Sequence, residues 1–229
     1  EYVKRDGRLK TEGVRAAKSL RAAKPSASSP SVFSLPSDGA IDRTPKLFIG
    51  GKQARPDSGY SRIVVNPKGQ RIGEVGEGNR KDIRNAVEAA HAAAKGWSKS
   101  TGHLRAQILY YIGENLSARS DEFAARLRAQ TGATASQAKA EVEAAVARLF
   151  SYAAWADKWD GAVHNVPIRG VALQMNEPIG VVAVAAPEES PLLGFISTVA
   201  PLIATGNAVV VVPSEPHPLS ATDLYTVLE

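Results

Sequence analysis

The 229-residue chain is 44% hydrophobic and carries a formal net charge of +5, a composition that can close a core without help from disulfides or metals. It contains no cysteine, which excludes disulfides and any thiol nucleophile supplied by this segment. No apolar run approaches the roughly 18 to 20 residues needed to cross a bilayer, so no membrane contact is expected, and a cytoplasmic location is.

The charge is unevenly placed. Residues 1–26 hold eight Lys/Arg against three Asp/Glu and account for the whole excess. Their one aromatic is Tyr2, and acids are interspersed. This pattern reads as a solvated linker, and no nucleic-acid partner is expected. Residues 24–38, KPSASSPSVFSLPSD, are rich in Pro and Ser, as linkers are. A division follows, with a basic connector over 1–44 and a folded region over 45–229. The chain opens on Glu1-Tyr2-Val3-Lys4 and closes inside an apparent helix, so both ends are expected to continue into a longer protein.

From Lys46 the pattern becomes β-rich. Leu47–Ile49 with Gly50-Gly51 predicts a strand and tight turn, and Arg62–Val65 and Arg71–Val75 predict two more strands. Gly73, Gly76 and Gly78 lack the G-x-G-x-x-G order and read as turn punctuation. Four helices are expected next. The first takes its apolar face from Ile83, Val87, Ala90 and Ala94, and the second from Leu104, Ile108, Tyr111 or Ile112, and Leu116. The third runs from Ser120 to a Gly132 stop, with Phe123, Leu127 and Gln130 aligned. The fourth starts at a Thr134-x-x-Gln137 capping box and buries Val142, Ala145, Leu149, Tyr152 and Ala156. Val163–Val166 and Val171–Asn176 then alternate like a two-stranded arm.

Pro178–Ala221 is the organising stretch. Ile179–Ala186 and Ala208–Val212 are short, Val-rich and wholly apolar, as are parallel strands buried on both faces. Leu192–Ala204 between them is apolar on every side, which suits a deeply packed helix stopped by Gly206-Asn207. Strand, helix and strand make a βαβ unit, right-handed by the usual crossover rule. A ligand crevice is expected at the strand ends. No metal site is expected from the scattered His91, His103, His164 and His217, and no Ser sits in a G-x-S-x-G elbow. Glu188 and Glu189 are adjacent, an arrangement that favours a solvated loop over a convergent acid–base pair.

The run EPIGVV…P…PLL…AP…ATGN…VV.P.E..PLSA, together with Tyr152–Lys158 (YAAWADK) and the Asn66-Pro67 pair, resembles the aldehyde dehydrogenases. The resemblance covers about 45–229. It implies an α/β fold: the N-terminal part of a Rossmann-like cofactor-binding domain, a parallel sheet flanked by helices, with a β-hairpin oligomerisation arm. It also implies NAD as cofactor and oxidation of an aldehyde to a carboxylic acid. In that reaction a Cys thiolate attacks, hydride leaves to the nicotinamide and a Glu-activated water releases the acid. The cofactor positions implied are Ala185, Ala186, Pro187, Glu188, Val212, Ser214 and Glu215.

Two departures from the family pattern stand out. Aligning Pro187 and Pro191 with the family's Pro-Trp-Asn-(Phe/Tyr)-Pro loop puts Glu189 where an Asn amide donates to the oxyanion. Val212 stands where a Lys holds the ribose, while Glu215 is kept, either for its sugar contact or to cap the next helix. Glu1–Lys4 resembles the tail on which many of these enzymes finish. Together these features resemble the second unit of the tandem aldehyde dehydrogenase family 16. They imply a non-catalytic unit that follows and braces an active one, with homodimer contacts through the 163–176 hairpin. The rival expectation is a divergent but active unit whose Cys and Glu lie beyond Glu229.

Overall fold

The computed structural model describes residues 45–228, so the connector expected over 1–44 lies outside the described residues. The β-rich opening forms as two antiparallel hairpins. In the first, β1 (Leu47–Ile49) pairs with β2 (Lys52–Ala54) across the Gly50-Gly51 turn; in the second, β3 (Ser61–Val65) pairs with β4 (Arg71–Gly76). Asn66 closes the second loop, its Oδ1 accepting from the backbone N–H groups of Lys68 and Gln70, each at 2.9 Å. The expectation that Gly73 and Gly76 mark turns is corrected. Both lie inside β4, and a Cβ on Gly73 would stand 3.1 Å from Leu219 Cδ2. That glycine admits a leucine which, with Val64 and Val75, builds the small core of this region.

Helix α1 (Arg80–Trp97) starts at a capping box in which the Asn79 side chain and Asp82 exchange hydrogen bonds with each other's backbone. Asp82 is buried and its carboxylate also accepts from Asp57 N–H, which ties the preceding loop to the helix. Ile83, expected in the core, is exposed because the buried cap turns that face outward. In α2 (Gly102–Ala118) the expected stripe is offset. Leu104, Ile108 and Tyr111 are exposed, while Ala106, Leu109, Ile112, Gly113 and Leu116 are buried. The expectation holds at Ile112 and Leu116, while at the start of the helix packing against α4 turns Ala106 and Leu109 inward in place of Leu104 and Ile108.

Helix α3 (Ser120–Thr131) buries Phe123, Leu127 and Gln130 and stops at left-handed Gly132, as expected. Its N-cap, however, is Arg119, without a side-chain cap bond, and Ser120 is the first helical residue. Helix α4 (Ala135–Ala156) has the Thr134–Gln137 capping box and buries Ala138, Val142, Ala145, Leu149, Ala153 and Ala156. It packs against α2, α3 and the helix of the βαβ unit, α5 (Pro191–Ala204), to make the main core. The arm forms as β5 (Ala162–Asn165) antiparallel to β6 (Val171–Gln174).

Strands β7 (Val181–Ala185) and β8 (Ala208–Val212) pair in parallel, register Val181↔Ala208 through Ala185↔Val212. They are half-buried to exposed, not buried on both faces as expected. Among the described residues they pair only with each other, and α1 and α5 pack on them. Gly206 takes the left-handed conformation that stops α5. Asn207 does not; its buried amide instead accepts from Gly180 N–H at 3.0 Å and donates to Thr205 Oγ1 at 2.9 Å, joining the starts of the two strands.

Both ends of α5 are held by charged or polar side chains from other helices. At its start, Glu141 Oε1 from α4 accepts from the N–H groups of Leu192 (3.0 Å) and Leu193 (3.2 Å). At its end, Arg105 Nε donates to Ala204 O at 2.8 Å and Trp97 Nε1 to Ile203 O at 3.1 Å. An anion at the first turn and a cation at the last both complement the helix dipole. The short helices α6 (Leu219–Asp223) and α7 (Tyr225–Leu228) complete the chain, α6 being fixed to α3 by an Arg126 Nε–Asp223 Oδ2 ion pair of 2.6 Å. No helix among the described residues is long and apolar enough to cross a membrane.

Removing the Glu141 carboxylate strands two N–H groups at the packed start of α5. Glu141→Ala is expected to lower unfolding free energy by about 1 to 3 kcal/mol, and Glu141→Gln, which keeps an acceptor, by less. Urea denaturation of both variants checks the order, and equal losses would contradict it.

Candidate functional site

The carboxyl ends of β7 and β8 bring together the residues singled out for a cofactor. Ala185 pairs with Val212, and Ala186 N–H donates to Val212 O at 2.9 Å. Pro187, Glu188 and Glu189 follow in an exposed loop that turns back into α5 through Ser190, whose φ of 48° is left-handed. Gly194 permits that turn: a Cβ there would lie 2.4 Å from Pro187 Cγ and 3.2 Å from Glu189 O. The loop is thereby laid against the first turn of α5.

The loop after β8 is fixed from several sides. Ser214 is buried, and its Oγ accepts from His217 N–H at 3.3 Å. His217 Nδ1 lies 3.4 Å from Glu188 O, bridging the two strand-end loops. Arg62 on β3 donates from a guanidinium nitrogen to Glu215 O at 2.8 Å. Buried Gln130 accepts from Leu219 N–H at 3.1 Å and donates to Ser220 Oγ at 2.9 Å, so one amide satisfies the start of α6. This also answers the question left open for Glu215: α6 has no side-chain cap bond, and the Glu215 side chain is not a cap. Beside this loop a cleft of about 220 Å³ is lined by Arg62, Val65, Asn66, Gln130, Pro216 and His217, among others.

The first turn of α5 has no backbone donor to spare. Pro191 has no N–H, those of Leu192 and Leu193 serve Glu141, and that of Gly194 serves Ser190 O at 2.6 Å. The helix start that would otherwise favour an anion is already satisfied. Facing solvent are Glu188 and Glu189, both acceptors when ionised, and Ser190, whose hydroxyl can also donate. Val212, 52% exposed, offers no polar atom. Glu215 is exposed, and its carboxylate has no hydrogen-bond partner among the described residues.

Several residues of this arrangement were not legible in the sequence. Glu141 sits mid-helix beside Val142 and looks like a surface acid, while Arg62 and His217 act through backbone atoms that no motif marks. Gly194 carried the one usable signal, a glycine inside an otherwise apolar helix, where a close backbone approach is a standing explanation. No group of three His, Cys, Asp or Glu among the described residues converges as a metal site.

The sequence profile of the Aldehyde dehydrogenase family matches residues 55–229. The chain belongs to the aldehyde dehydrogenase family. It is 33% identical over 192 residues to the 3,6-anhydro-alpha-L-galactose dehydrogenase of Streptomyces coelicolor, covering 82% of this chain and 38% of that enzyme. It is 35% identical over 188 residues to the betaine aldehyde dehydrogenase of Bacillus subtilis, covering 80% and 38%. The crystal structure of betaine aldehyde dehydrogenase from Staphylococcus aureus in complex with NAD+ superposes with a TM-score of 0.78 at 27% identity, covering 81% of this chain and 38% of that one. The α/β fold is therefore that of the aldehyde dehydrogenases, and the chain spans well under half the length of these relatives.

The residues present fit the dinucleotide of such enzymes only in part. Glu215 is an exposed acceptor, whereas Val212 supplies no polar atom and buried Ser214 is engaged with His217. A methyl at position 194 would push the Pro187–Glu189 loop off α5. Gly194→Ala is expected to cost about 1 to 3 kcal/mol in stability and to expose the loop to limited proteolysis. A melting temperature and cleavage pattern matching wild type would contradict the close approach.

Proposed function

We propose that this chain is a non-catalytic unit of an NAD-dependent aldehyde dehydrogenase that oxidises aldehydes to carboxylic acids, and that it braces an active unit preceding it in the same protein. The observation that carries the reading is the pair of carboxylates, Glu188 and Glu189, exposed at the crevice mouth. At the position where the family resemblance implies an Asn amide, Glu189 presents a carboxylate, and Glu141 occupies the N–H groups of Leu192 and Leu193 at the adjoining helix start. Losing one oxyanion donor costs on the order of 3 kcal/mol in such reactions, and a negative charge opposes the developing oxyanion further. Val212 in place of an ammonium weakens the hold on the cofactor's ribose by a further ~1 to 3 kcal/mol. Weak dinucleotide binding, through Glu215, is what this arrangement supports. A carboxylate there also opposes a 2′-phosphate, which favours NAD over NADP.

What the unit keeps is its architecture. The β5–β6 arm presents Val163, Val171 and Leu173 on one face at 66–72% exposure. A two-stranded arm with unpaired edges and an apolar face supports a homodimer contact through residues 163–176. The plan resembles that of the second unit of the tandem aldehyde dehydrogenase family 16, a likeness that rests on the Glu189 and Val212 departures. A soluble, cytoplasmic protein with no nucleic-acid partner is consistent with that plan.

Restoring the amide tests the reading in the intact protein. Glu189→Asn is expected to leave kcat/KM for aldehyde oxidation within about twofold of wild type, because the reaction takes place elsewhere in the protein. A rise of tenfold or more would place the reaction in this crevice, since an oxyanion donor is worth about 10²-fold or more.

A further inference from the structure

Arg62 belongs to the N-terminal hairpin region, outside the βαβ unit, yet it reaches 153 residues along the chain to the carbonyl of Glu215 at 2.8 Å. It is half-buried, and Glu215 O is its one hydrogen-bond partner among the described residues. The loop it touches is otherwise pinned at Ser214 by His217 N–H, at Glu188 by the His217 ring and at Leu219 by Gln130. None of these contacts falls on Glu215 itself. Arg62 is thus the one hydrogen-bond partner of the Glu215 backbone among the described residues, alongside the restriction that Pro216 places on it.

We propose that Arg62 is a positioning residue that orients Glu215 for the ribose hydroxyls of a dinucleotide, offsetting in part the cation absent at Val212. The proposal rests on the reading that this crevice still admits NAD weakly. A guanidinium donor to a carbonyl is a charge-assisted bond, and its planar fork sets direction as well as distance. The direction of the Glu215 backbone is thereby set before the sugar arrives, which lowers the ordering cost of binding. The arginine acts through the backbone and makes no contact with the sugar.

The test is hydrogen exchange of the peptide spanning 209–218 in the intact protein, titrated with NAD, so that binding at this unit is read separately from binding at any other. NAD is expected to slow exchange there in wild type. Arg62→Met is expected to raise the half-effect concentration roughly tenfold, the size of one charge-assisted hydrogen bond, and Arg62→Lys to recover part of it. Glu215→Ala should abolish most of the effect, and adding Arg62→Met to it should cause no further loss. Circular dichroism melts establish that each variant is folded. Wild-type exchange indifferent to NAD, an Arg62→Met titration matching wild type, or losses that multiply in the double variant would each overturn the proposal. None of these outcomes bears on whether the unit turns over an aldehyde, so the non-catalytic reading stands or falls separately.

Discussion

The contact on which this structure turns is the Glu141 carboxylate set against the first turn of α5. A helix that is apolar all round has no polar face of its own with which to fix its ends. Here Glu141 supplies the anion at the start, while Arg105 and Trp97 supply donors at the finish. The arrangement agrees with the helix dipole at both ends and sets the depth at which α5 lies against α4 and the β7–β8 pair. The position of the 187–190 loop follows, because Gly194 lets Pro187 rest on that same first turn.

The same contact has a chemical consequence. Backbone N–H groups at a helix start are among the donors that enzymes use to stabilise developing negative charge. Those of Leu192 and Leu193 are spent on structure, and the loop in front of them carries Glu188 and Glu189. Stability here comes from the α2–α5 core and the clamped helix, neither of which needs a reactive group in the crevice. That separation explains how the aldehyde dehydrogenase fold can persist around a mouth that holds acceptors and a valine.

Much of the fold was legible because the relevant signals are local. The Thr134–Gln137 capping box, the Gly132 stop, the α4 core face and the Ala208–Val212 strand all appear where the sequence places them. The failures share one cause. For α2, the expected stripe holds at Ile112 and Leu116, but packing against α4 buries Ala106 and Leu109 in place of Leu104 and Ile108. For Ile83 and Gly73, a buried cap and an incoming Leu219 decide. At the site, the departures at Glu189 and Val212 could be read by alignment to a family pattern. The braces from Glu141, Arg62 and His217 could not, because each acts on the backbone of a segment distant in sequence.

Under the proposed function, this unit supports chemistry done elsewhere in the protein. The most direct measurement is NADH formation from an aldehyde by the intact protein after every thiol of the proposed active unit has been replaced by serine. The account predicts a rate no higher than the uncatalysed reaction, with the protein still folded and its oligomeric state unchanged. Sustained turnover with all of those thiols removed would contradict it.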